Sequence, residues 1–237
     1  MLQEYSDKEV SMLEQKVTEF RSVAAKAAEK EGKDDAFVNK AMQRLIISAS
    51  ELAGKEVVGK GAFGEVYRSD YRGATVAVKT VKVISEENLD RFQKEILLMG
   101  DLRHQNIVTL IGAVWEKDLM GLVMEFCEKG TSSDVLKKEG STFTWDDPLL
   151  KWCLDVSRGI RYLHSISYYN VESDSRVKGM LHRDLKPDNC LVTETYGIRI
   201  ADFGEARTLN EDDEAAMTQV GTPLFIAPEI VKGEMCA

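Results

Sequence analysis

The chain of 237 residues is long enough for one large domain or two small ones, and its 43% of hydrophobic residues can fill a core. It carries 40 Asp and Glu residues against 31 Lys and Arg, a formal net charge of -9. This acidic balance argues against a nucleic-acid binder and against an anionic membrane surface as a partner, because both require a basic face.

The N-terminus lacks the basic and then apolar pattern of a signal peptide, and no apolar run approaches membrane-spanning length. The four cysteines include no Cys-x-x-Cys pair and no histidine at the spacing of a zinc site. The expectation is a soluble cytoplasmic protein with free thiols.

Residues 1–50 are predicted to form a helical extension. A narrow apolar stripe from Val10 to Ala27 predicts one helix over residues 1–32, and a second helix is expected over 36–47. The stripe lasts less than three heptads, which is short for a coiled coil. Residues 1–32 therefore either bind a helical partner or a second copy of the chain, or pack on their own domain.

From Glu51 the pattern changes to β-branched runs separated by turn residues, which predicts a small antiparallel sheet. Glycines 59, 61 and 64 precede a strand rather than a helix, so they form a hairpin and not the turn of a dinucleotide-binding fold. Without Cβ atoms, such a hairpin lets backbone amides approach phosphate oxygens. The alternative is an ordinary glycine-rich turn.

Lys79 ends the apolar alternation Val76–Val78, beside the interior of the sheet, where it needs an anionic partner. The next helix has an inward stripe of Leu89, Phe92, Ile96 and Met99, with Glu95 at its edge. We therefore expect a Lys79–Glu95 pair, the alternative being that Glu95 is a surface residue.

Two further strands are expected over residues 110–115 and 121–126, followed by a hinge and a long helix. Asp146 or Asp147 is the predicted cap of that helix, with Pro148 in its first turn. Residues 167–178 have no clean period and are predicted to form a surface loop that docks a partner. The predicted buried face of the long helix is Leu149, Leu150, Cys153, Val156, Ile160 and Leu163.

The eight residues from His182 to Asn189 combine acids, bases, an amide and a histidine, and Pro187 prevents a helix there. About a dozen residues later, Asp202-Phe203-Gly204 follows an apolar alternation. A loop this rich in charge indicates a site of chemistry, unless it is a solvated turn.

These motifs, in this order, resemble the signature set of eukaryotic protein kinases. The resemblance rests on Gly59-x-Gly61-x-x-Gly64-x-Val66, Val76-Ala77-Val78-Lys79, Glu95, His182 to Asn189, Asp202-Phe203-Gly204 and Ala227-Pro228-Glu229. Lys186 and Gly221-Thr222-Pro223 resemble the pattern of serine/threonine kinases. The amino-acid sequence around the glycines is similar to that of the tyrosine-kinase-like group.

The resemblance implies an α+β, bilobal kinase fold over residues 51–237. Residues 51–126 would be an N-lobe with a small antiparallel sheet and one helix, and residues 127–237 a mostly helical C-lobe. The family's domain continues past the Ala-Pro-Glu triplet through further helices, so the expectation is a partial C-lobe that lacks its last helices.

The resemblance also implies roles for single residues, with ATP and Mg²⁺ as cofactors. Lys79, held by Glu95, would bind the α- and β-phosphates, and Asn189 and Asp202 would hold Mg²⁺. Asp184 would accept the proton of the substrate hydroxyl, and Lys186 would steady the transferred group. The implied nucleotide-binding residues are Gly59, Lys60, Gly61, Ala62, Phe63, Gly64, Val66, Ala77, Lys79, Met124, Glu125, Cys127 and Leu191.

Residues 202–229 would form the activation segment. Thr222 would form a hydrogen bond with the catalytic loop, His182 to Asn189. Thr218 is the preferred phosphorylation site, and Arg183 would bind its phosphate. Glu205 departs from the small or apolar residue that is commoner after the Asp-Phe-Gly triplet.

Two functions follow. The first is an ATP-dependent serine/threonine kinase that acts on protein substrates in intracellular signalling. The second is a catalytically impaired fragment that binds nucleotide or docks partners. In either case the excess of acidic residues, 40 against 31 basic ones, argues against nucleic acid or a membrane as a partner.

Overall fold

The fold is known from a computed structural model, which describes most of the chain beyond residue 43. Several segments lie outside the described residues. They are the predicted helix over residues 1–32, most of the helix expected over 36–47, and the run of four acidic residues at 211–214. In the part that is described, no helix is both long and apolar enough to cross a membrane. The described residues are 44–60, 64–81, 86–116, 119–170, 175–208 and 221–232.

Contacts within the chain divide it into two compact units. Unit 1 runs to Leu102 and includes Thr109–Phe126, and unit 2 comprises Arg103–Val108 and the residues from Cys127 onward. Each unit has its own set of strands and at least one helix, so each is described by itself.

Unit 1 is built on a five-stranded antiparallel sheet with the order β1-β2-β3-β5-β4. Between β2 and β3 the chain reverses at Arg72 and Gly73, which both have positive φ angles (53° and 84°), as a tight hairpin turn requires. Asp70 closes the turn by accepting the Gly73 amide at 2.9 Å. The strands are β1 (Leu52–Lys60), β2 (Glu65–Tyr71), β3 (Ala74–Thr80), β4 (Leu110–Glu116) and β5 (Leu119–Glu125).

Helix α1 (Glu86–Gly100) packs its apolar stripe into unit 1. Phe92, Ile96 and Met99 are buried, as the sequence pattern predicts, while the side chain of Leu89 lies outside the described residues. The Phe92 ring lies 5.4 Å from that of Trp115 on β4. Five β-branched residues and one tyrosine form a hydrophobic cluster in this unit, whose buried members are Ile47, Tyr67, Val76, Val78, Val114 and Val123.

Unit 2 combines helices with short strands of two to four residues. Its helices are α2 (Ser132–Glu139), α3 (Leu149–Ser165) and α4 (Pro228–Lys232). Its strands are β6 (Gly130–Thr131), β7 (Ser167–Asn170), β8 (Ser175–Lys178), β9 (Met180–Leu181), β10 (Cys190–Val192), β11 (Ile198–Ile200) and β12 (Arg207–Thr208). An antiparallel sheet with one helix, followed by a region rich in helices, confirms the predicted α+β class.

The predicted cap of α3 is wrong. Pro148 is the N-cap residue, and neither aspartate before it caps the helix with its side chain. The preceding turn supplies backbone acceptors instead, because the carbonyls of Thr144 and Trp145 accept the amides of Leu149 and Leu150. With those amides already bonded, a carboxylate cap is unnecessary.

The predicted buried face of α3 is only partly correct, since Leu163 is buried and Leu149, Val156 and Ile160 are half-buried. The buried residues are Trp152, Asp155, Gly159 and Leu163, while Leu150 and Cys153 are exposed. Asp155 accepts the Ile198 amide at 3.2 Å, and Trp152 donates to the Tyr196 carbonyl at 3.1 Å. Hydrophobicity alone misses part of the buried face because the residues that meet the β10–β11 hairpin include an aspartate and a glycine.

Residues 167–170 and 175–178 form two paired strands where a loop is predicted, and residues 171–174 lie outside the described residues. Strands β7 and β8 pair in antiparallel register, with Ser167 opposite Lys178 and Asn170 opposite Ser175. Both strands are mostly polar, so they lack the apolar alternation from which strands are predicted.

Candidate functional site

The first candidate feature is a buried ion pair in unit 1. Lys79 Nζ lies 3.1 Å from Glu95 Oε1, and the two side chains are only 19% and 11% exposed. Lys79 comes from β3 and Glu95 from α1, so the pair joins the sheet to the helix that covers it. Charges this far from water require compensation, which each residue supplies to the other.

The described part of the glycine hairpin lies beside Lys79. Across β2, Val66 pairs with Gly59 on one side and with Lys79 on the other, so the three residues form one row of the sheet. Lys60 extends from the hairpin and makes an exposed ion pair of 3.2 Å with Glu65. Gly61, Ala62 and Phe63 lie outside the described residues.

Gly64 has a role in packing that the glycine pattern does not predict. A Cβ atom on Gly64 would lie 1.6 Å from the carbonyl oxygen of Thr80, whereas a Cβ on Gly59 would meet only Val66, at 3.8 Å. Thr80 also exchanges hydrogen bonds with the backbone of Glu65, at 3.0 and 2.9 Å. The missing side chain at Gly64 therefore allows β2 and β3 to close together.

The residues expected around adenine divide between the two units. In unit 1, Ala77 pairs with Met124 across β3 and β5, and both are buried. Glu125 follows, and its carboxylate accepts the Thr109 amide at 2.7 Å. In unit 2, Cys127 is buried and Leu191 is half-buried on β10.

The carboxylate of Asp184 is the centre of a hydrogen-bond network in unit 2. Oδ2 accepts Lys186 Nζ at 2.7 Å and Asn189 Nδ2 at 3.0 Å. Oδ1 accepts both the backbone amide and the hydroxyl of Thr222, at 3.0 and 2.8 Å. Lys186 also donates to the Thr222 hydroxyl at 2.6 Å, so the three side chains form a closed triangle.

These donors set the charge of Asp184. Burial raises the pKa of this carboxyl, but the hydrogen bonds from Lys186 and Thr222 and the charge of Lys186 outweigh it and hold the pKa below its usual value. Asp184 is therefore a carboxylate at neutral pH, able to accept a proton from a hydroxyl group.

Asn189 and Asp202 lie at the same end of the β10–β11 hairpin. Asn189 immediately precedes β10, Asp202 follows β11, and the Ala201 amide donates to the Asn189 carbonyl at 2.9 Å. Asn189 is 6% exposed, and its amide nitrogen donates to the Asp184 carbonyl at 2.8 Å, so the amide oxygen is the atom that could bind a cation.

This donor set fits Mg²⁺. Magnesium is bound through one or two protein oxygen ligands together with phosphate oxygens and water. An amide and a carboxylate match that preference, and within the described ranges no cluster of three or more His, Cys, Asp or Glu offers a site of the all-protein kind.

His182 has a structural place beside these residues. Its side chain is buried against Phe203, Nε2 donates to the Ala201 carbonyl at 3.0 Å, and Nδ1 has no hydrogen-bond partner among the described residues. Burial lowers the pKa of this histidine from its ordinary value of 6.5. The ring is therefore neutral, and its hydrogen bond joins residues 182–189 to Ala201, the residue before Asp202.

We expect this neutral histidine to make the metal-free protein less stable in mild acid. The unfolded chain binds a proton near pH 6.5, whereas the folded chain binds it only at lower pH, so stability falls as pH decreases below 6.5. The His182→Gln variant should show a smaller loss of melting temperature between pH 7.5 and 5.5. His164 is exposed on α3, so the His164→Gln variant is the matched control and should show the same pH dependence as the wild type.

An equal pH dependence of wild type and His182→Gln would contradict this assignment. Circular dichroism in the absence of nucleotide and divalent cations is the measurement, since bound ligands would alter the stability of the same residues.

The cysteines differ sharply in accessibility. Cys127 and Cys190 are buried and Cys153 is exposed, and burial raises the pKa of Cys190 to about 11. Because the thiolate is the reactive form, iodoacetamide at pH 7.5 should modify Cys153 while leaving Cys190 intact in the native protein. Mass spectrometry after brief labelling measures this, with labelling in urea as the control. Early modification of Cys190 would contradict the buried thiol.

Arg183 and Glu205 are close enough to interact electrostatically. Burial and the charge of Arg207 lower the pKa of Arg183, while the charge of Glu205 opposes them. Glu205 thus lies near the guanidinium group of Arg183, a proximity that the sequence does not reveal. Thr218, the preferred phosphorylation site, lies outside the described residues.

The sequence does not predict one contact of residues 182–189. Ser132, at the start of α2, is buried and donates to the Pro187 carbonyl at 2.9 Å. No sequence signal marks it, because a serine in the first turn of a helix is common and the 55-residue separation hides the partner.

Comparison with known proteins places these features in a family. The relative R831 of Acanthamoeba polyphaga mimivirus, whose name describes a serine/threonine-protein kinase/receptor, is 37% identical over 205 residues, which are 85% of this chain and 12% of that protein. Two serine/threonine-protein kinases of Arabidopsis thaliana are also similar. CTR1 is 33% identical over 78% of this chain and 22% of its own length, and STY17 is 34% identical over 78% and 30%.

The chain thus spans less than a third of the length of each of these relatives. The family model described as the protein kinase domain matches residues 52–237. This match begins with the first strand of the sheet and includes every candidate residue described above, and on that ground the chain belongs to the protein kinase domain family.

Proposed function

We propose that the chain is an ATP-dependent protein serine/threonine kinase, which transfers the γ-phosphate of ATP to Ser or Thr hydroxyls of protein substrates in cytoplasmic signalling. The observation that carries the proposal is the Asp184 network, in which one ionised carboxylate holds Lys186, Asn189 and Thr222. The relatives compared above, all named for serine/threonine kinases, support it.

Asp184 is the proton acceptor in this proposal. Phosphoryl transfer requires little covalent chemistry from the protein, so its residues mainly position the hydroxyl and compensate charge. The carboxylate of Asp184 orients the substrate hydroxyl and takes its proton as the oxygen attacks. Lys186, held 2.7 Å from that carboxylate, supplies positive charge for the transferred group.

Unit 1 contributes phosphate binding. Lys79 binds the α- and β-phosphates, and Glu95 keeps its ammonium group extended from β3. Gly59 and Val66 lie in the same row of the sheet, so the hairpin amides and the ammonium approach the nucleotide from one surface of this unit. Ala77, Met124 and Glu125 line the adenine side.

Unit 2 contributes the metal ligands. Asn189 and Asp202 hold Mg²⁺ through oxygen atoms, and the bound ion supplies charge neutralisation for the phosphate oxygens. Cys127 and Leu191 complete the nucleotide-binding set. Lys60, Gly61, Ala62, Phe63 and Gly64 cover the phosphates by resemblance.

Thr222 supports a preference for serine and threonine acceptors. Its hydroxyl bonds both Asp184 and Lys186, so it fixes the positions of the two groups that flank the acceptor oxygen. Phosphorylation of Thr218 is proposed as the regulatory event, and residues 1–32 as the segment that binds a helical partner or a second copy.

The test is transfer of labelled γ-phosphate by the purified 237-residue chain to casein, followed by phosphoamino-acid analysis. The proposal expects phosphoserine or phosphothreonine, and Asp184→Asn serves as the inactive control. Transfer no faster than in that control, with ATP still bound, would overturn the proposal in favour of a nucleotide-binding docking module.

A further inference from the structure

Ser132 is a polar residue in a place where the structure gives it a specific task. It is the first residue of α2 and is 5% exposed. Thr131, the residue before it, already caps the helix by accepting the Asp134 amide at 3.1 Å. The hydroxyl of Ser132 is thus free of the capping role that serines usually have in this position.

That hydroxyl donates to the catalytic loop. Ser132 Oγ lies 2.9 Å from the carbonyl oxygen of Pro187. The same oxygen also accepts the backbone amide of Cys190, which closes the 3-10 turn Pro187–Asn189. Both hydrogen-bond sites of this carbonyl are therefore used, one by the turn itself and one by α2.

The strand after the turn is attached to the same end of α2. Thr131, in β6, pairs with Leu191 in β10, and the Lys129 amide donates to the Val192 carbonyl at 3.1 Å. The segment that leads into α2 thus holds the chain after Asn189, and Ser132 holds the chain before it. Asn189 lies between two anchored points.

The position of Asn189 is what this arrangement determines. Its amide nitrogen donates to the carbonyl and to the carboxylate of Asp184, at 2.8 and 3.0 Å. A rotation of the turn would move the amide oxygen away from a cation and break these two bonds together.

We propose that Ser132 is a positioning residue for the metal-binding turn, which fixes the amide oxygen of Asn189 through the carbonyl of Pro187. The inference rests on the proposed function, because it takes Asn189 to be a ligand of Mg²⁺.

Binding of Mn²⁺ to the full chain, in the presence of a non-hydrolysable ATP analogue, tests this inference. Free Mn²⁺ is measured by electron paramagnetic resonance. Loss of one hydrogen bond in Ser132→Ala should weaken Mn²⁺ affinity by about 3- to 10-fold. Ser133→Ala is the matched control, since Ser133 is the next residue of the same helix and is half-buried, and its Mn²⁺ affinity should equal that of the wild type.

Kinetics give a second readout that a general loss of stability would not produce. In Ser132→Ala the apparent KM for Mg²⁺ should rise by the same factor, with kcat at saturating Mg²⁺ near that of the wild type. Ser132→Cys keeps the volume of the side chain but replaces the hydroxyl by a weak donor, and serves if the alanine variant does not fold.

Each outcome separates the two proposals. Wild-type Mn²⁺ affinity in Ser132→Ala, or in Ser132→Cys if only that variant folds, overturns the positioning role. A wild-type chain that binds no Mn²⁺ with the analogue overturns it as well. A wild-type chain that binds Mn²⁺ but transfers no phosphate overturns the kinase proposal, while the comparison of Mn²⁺ affinities among the variants still decides the role of Ser132.

Discussion

Asp184→Asn is expected to slow phosphoryl transfer by about 10³-fold, the largest functional effect of any single substitution in the described residues. An amide cannot accept the proton of the substrate hydroxyl. The same change also disturbs the network, because one side-chain oxygen becomes an NH₂ group. That group would face either the ammonium of Lys186, now 2.7 Å away, or the amide and hydroxyl of Thr222.

Steady-state rates and nucleotide affinity should be measured on the same preparation. Because Lys79 and the glycine hairpin belong to unit 1, we expect the affinity for ATP to change by less than about threefold, within the effect of one surface ion pair. Thr222→Val is a useful companion, since it removes the hydroxyl while leaving the carboxylate. A rate for Asp184→Asn within tenfold of the wild type would contradict the role of general base.

Gly64→Ala is expected to lower the free energy of unfolding by about 3 kcal/mol, near the upper end for overpacked sites. The added Cβ, on the residue before β2, would lie 1.6 Å from the carbonyl oxygen of Thr80, a backbone atom at the end of β3. Relief therefore requires the two strands to separate near Lys79, and not merely a side-chain rotation.

Gly59→Ala is the matched control for this prediction. A Cβ there meets only Val66 at an ordinary contact distance of 3.8 Å, so its unfolding free energy should stay within about 1 kcal/mol of the wild type. Thermal unfolding should show the difference as a shift of about 4–12 °C between the two variants. Equal melting temperatures for Gly64→Ala and Gly59→Ala would show that the close approach of Thr80 is not maintained in solution.

Local patterns predict the features in which neighbouring residues decide the structure. The β-branched runs from Glu51 to Thr80 predict the antiparallel hairpins, and the stripe of Phe92, Ile96 and Met99 predicts the inward face of α1. The pairing of Lys79 with Glu95 is also predictable. A lysine at the end of an apolar strand and a glutamate beside an apolar stripe are both expected to be partly buried, so each charge needs a partner of opposite sign.

The same reasoning fails where a contact depends on a distant segment. The buried face of α3 is set by the β10–β11 hairpin, which needs an acceptor for the Ile198 amide and space for Ile200, and so selects Asp155 and Gly159 over Leu150 and Cys153. Hydrophobic periodicity has no means of showing that a carboxylate will be the buried residue.

The chemistry of the site shows the same division. The sequence by itself determines which groups are present: the carboxylates, amide, lysines and glycines, in an order typical of protein kinases. Only the tertiary structure decides that Asp184 accepts four hydrogen bonds and that the Thr80 carbonyl leaves no space for a side chain at Gly64. It also decides that Ser132 forms a hydrogen bond with the turn that contains Asn189. The reason is that residue type and local periodicity are properties of short segments, whereas hydrogen-bond geometry and close packing arise between residues that folding brings together from 15 to 55 positions apart.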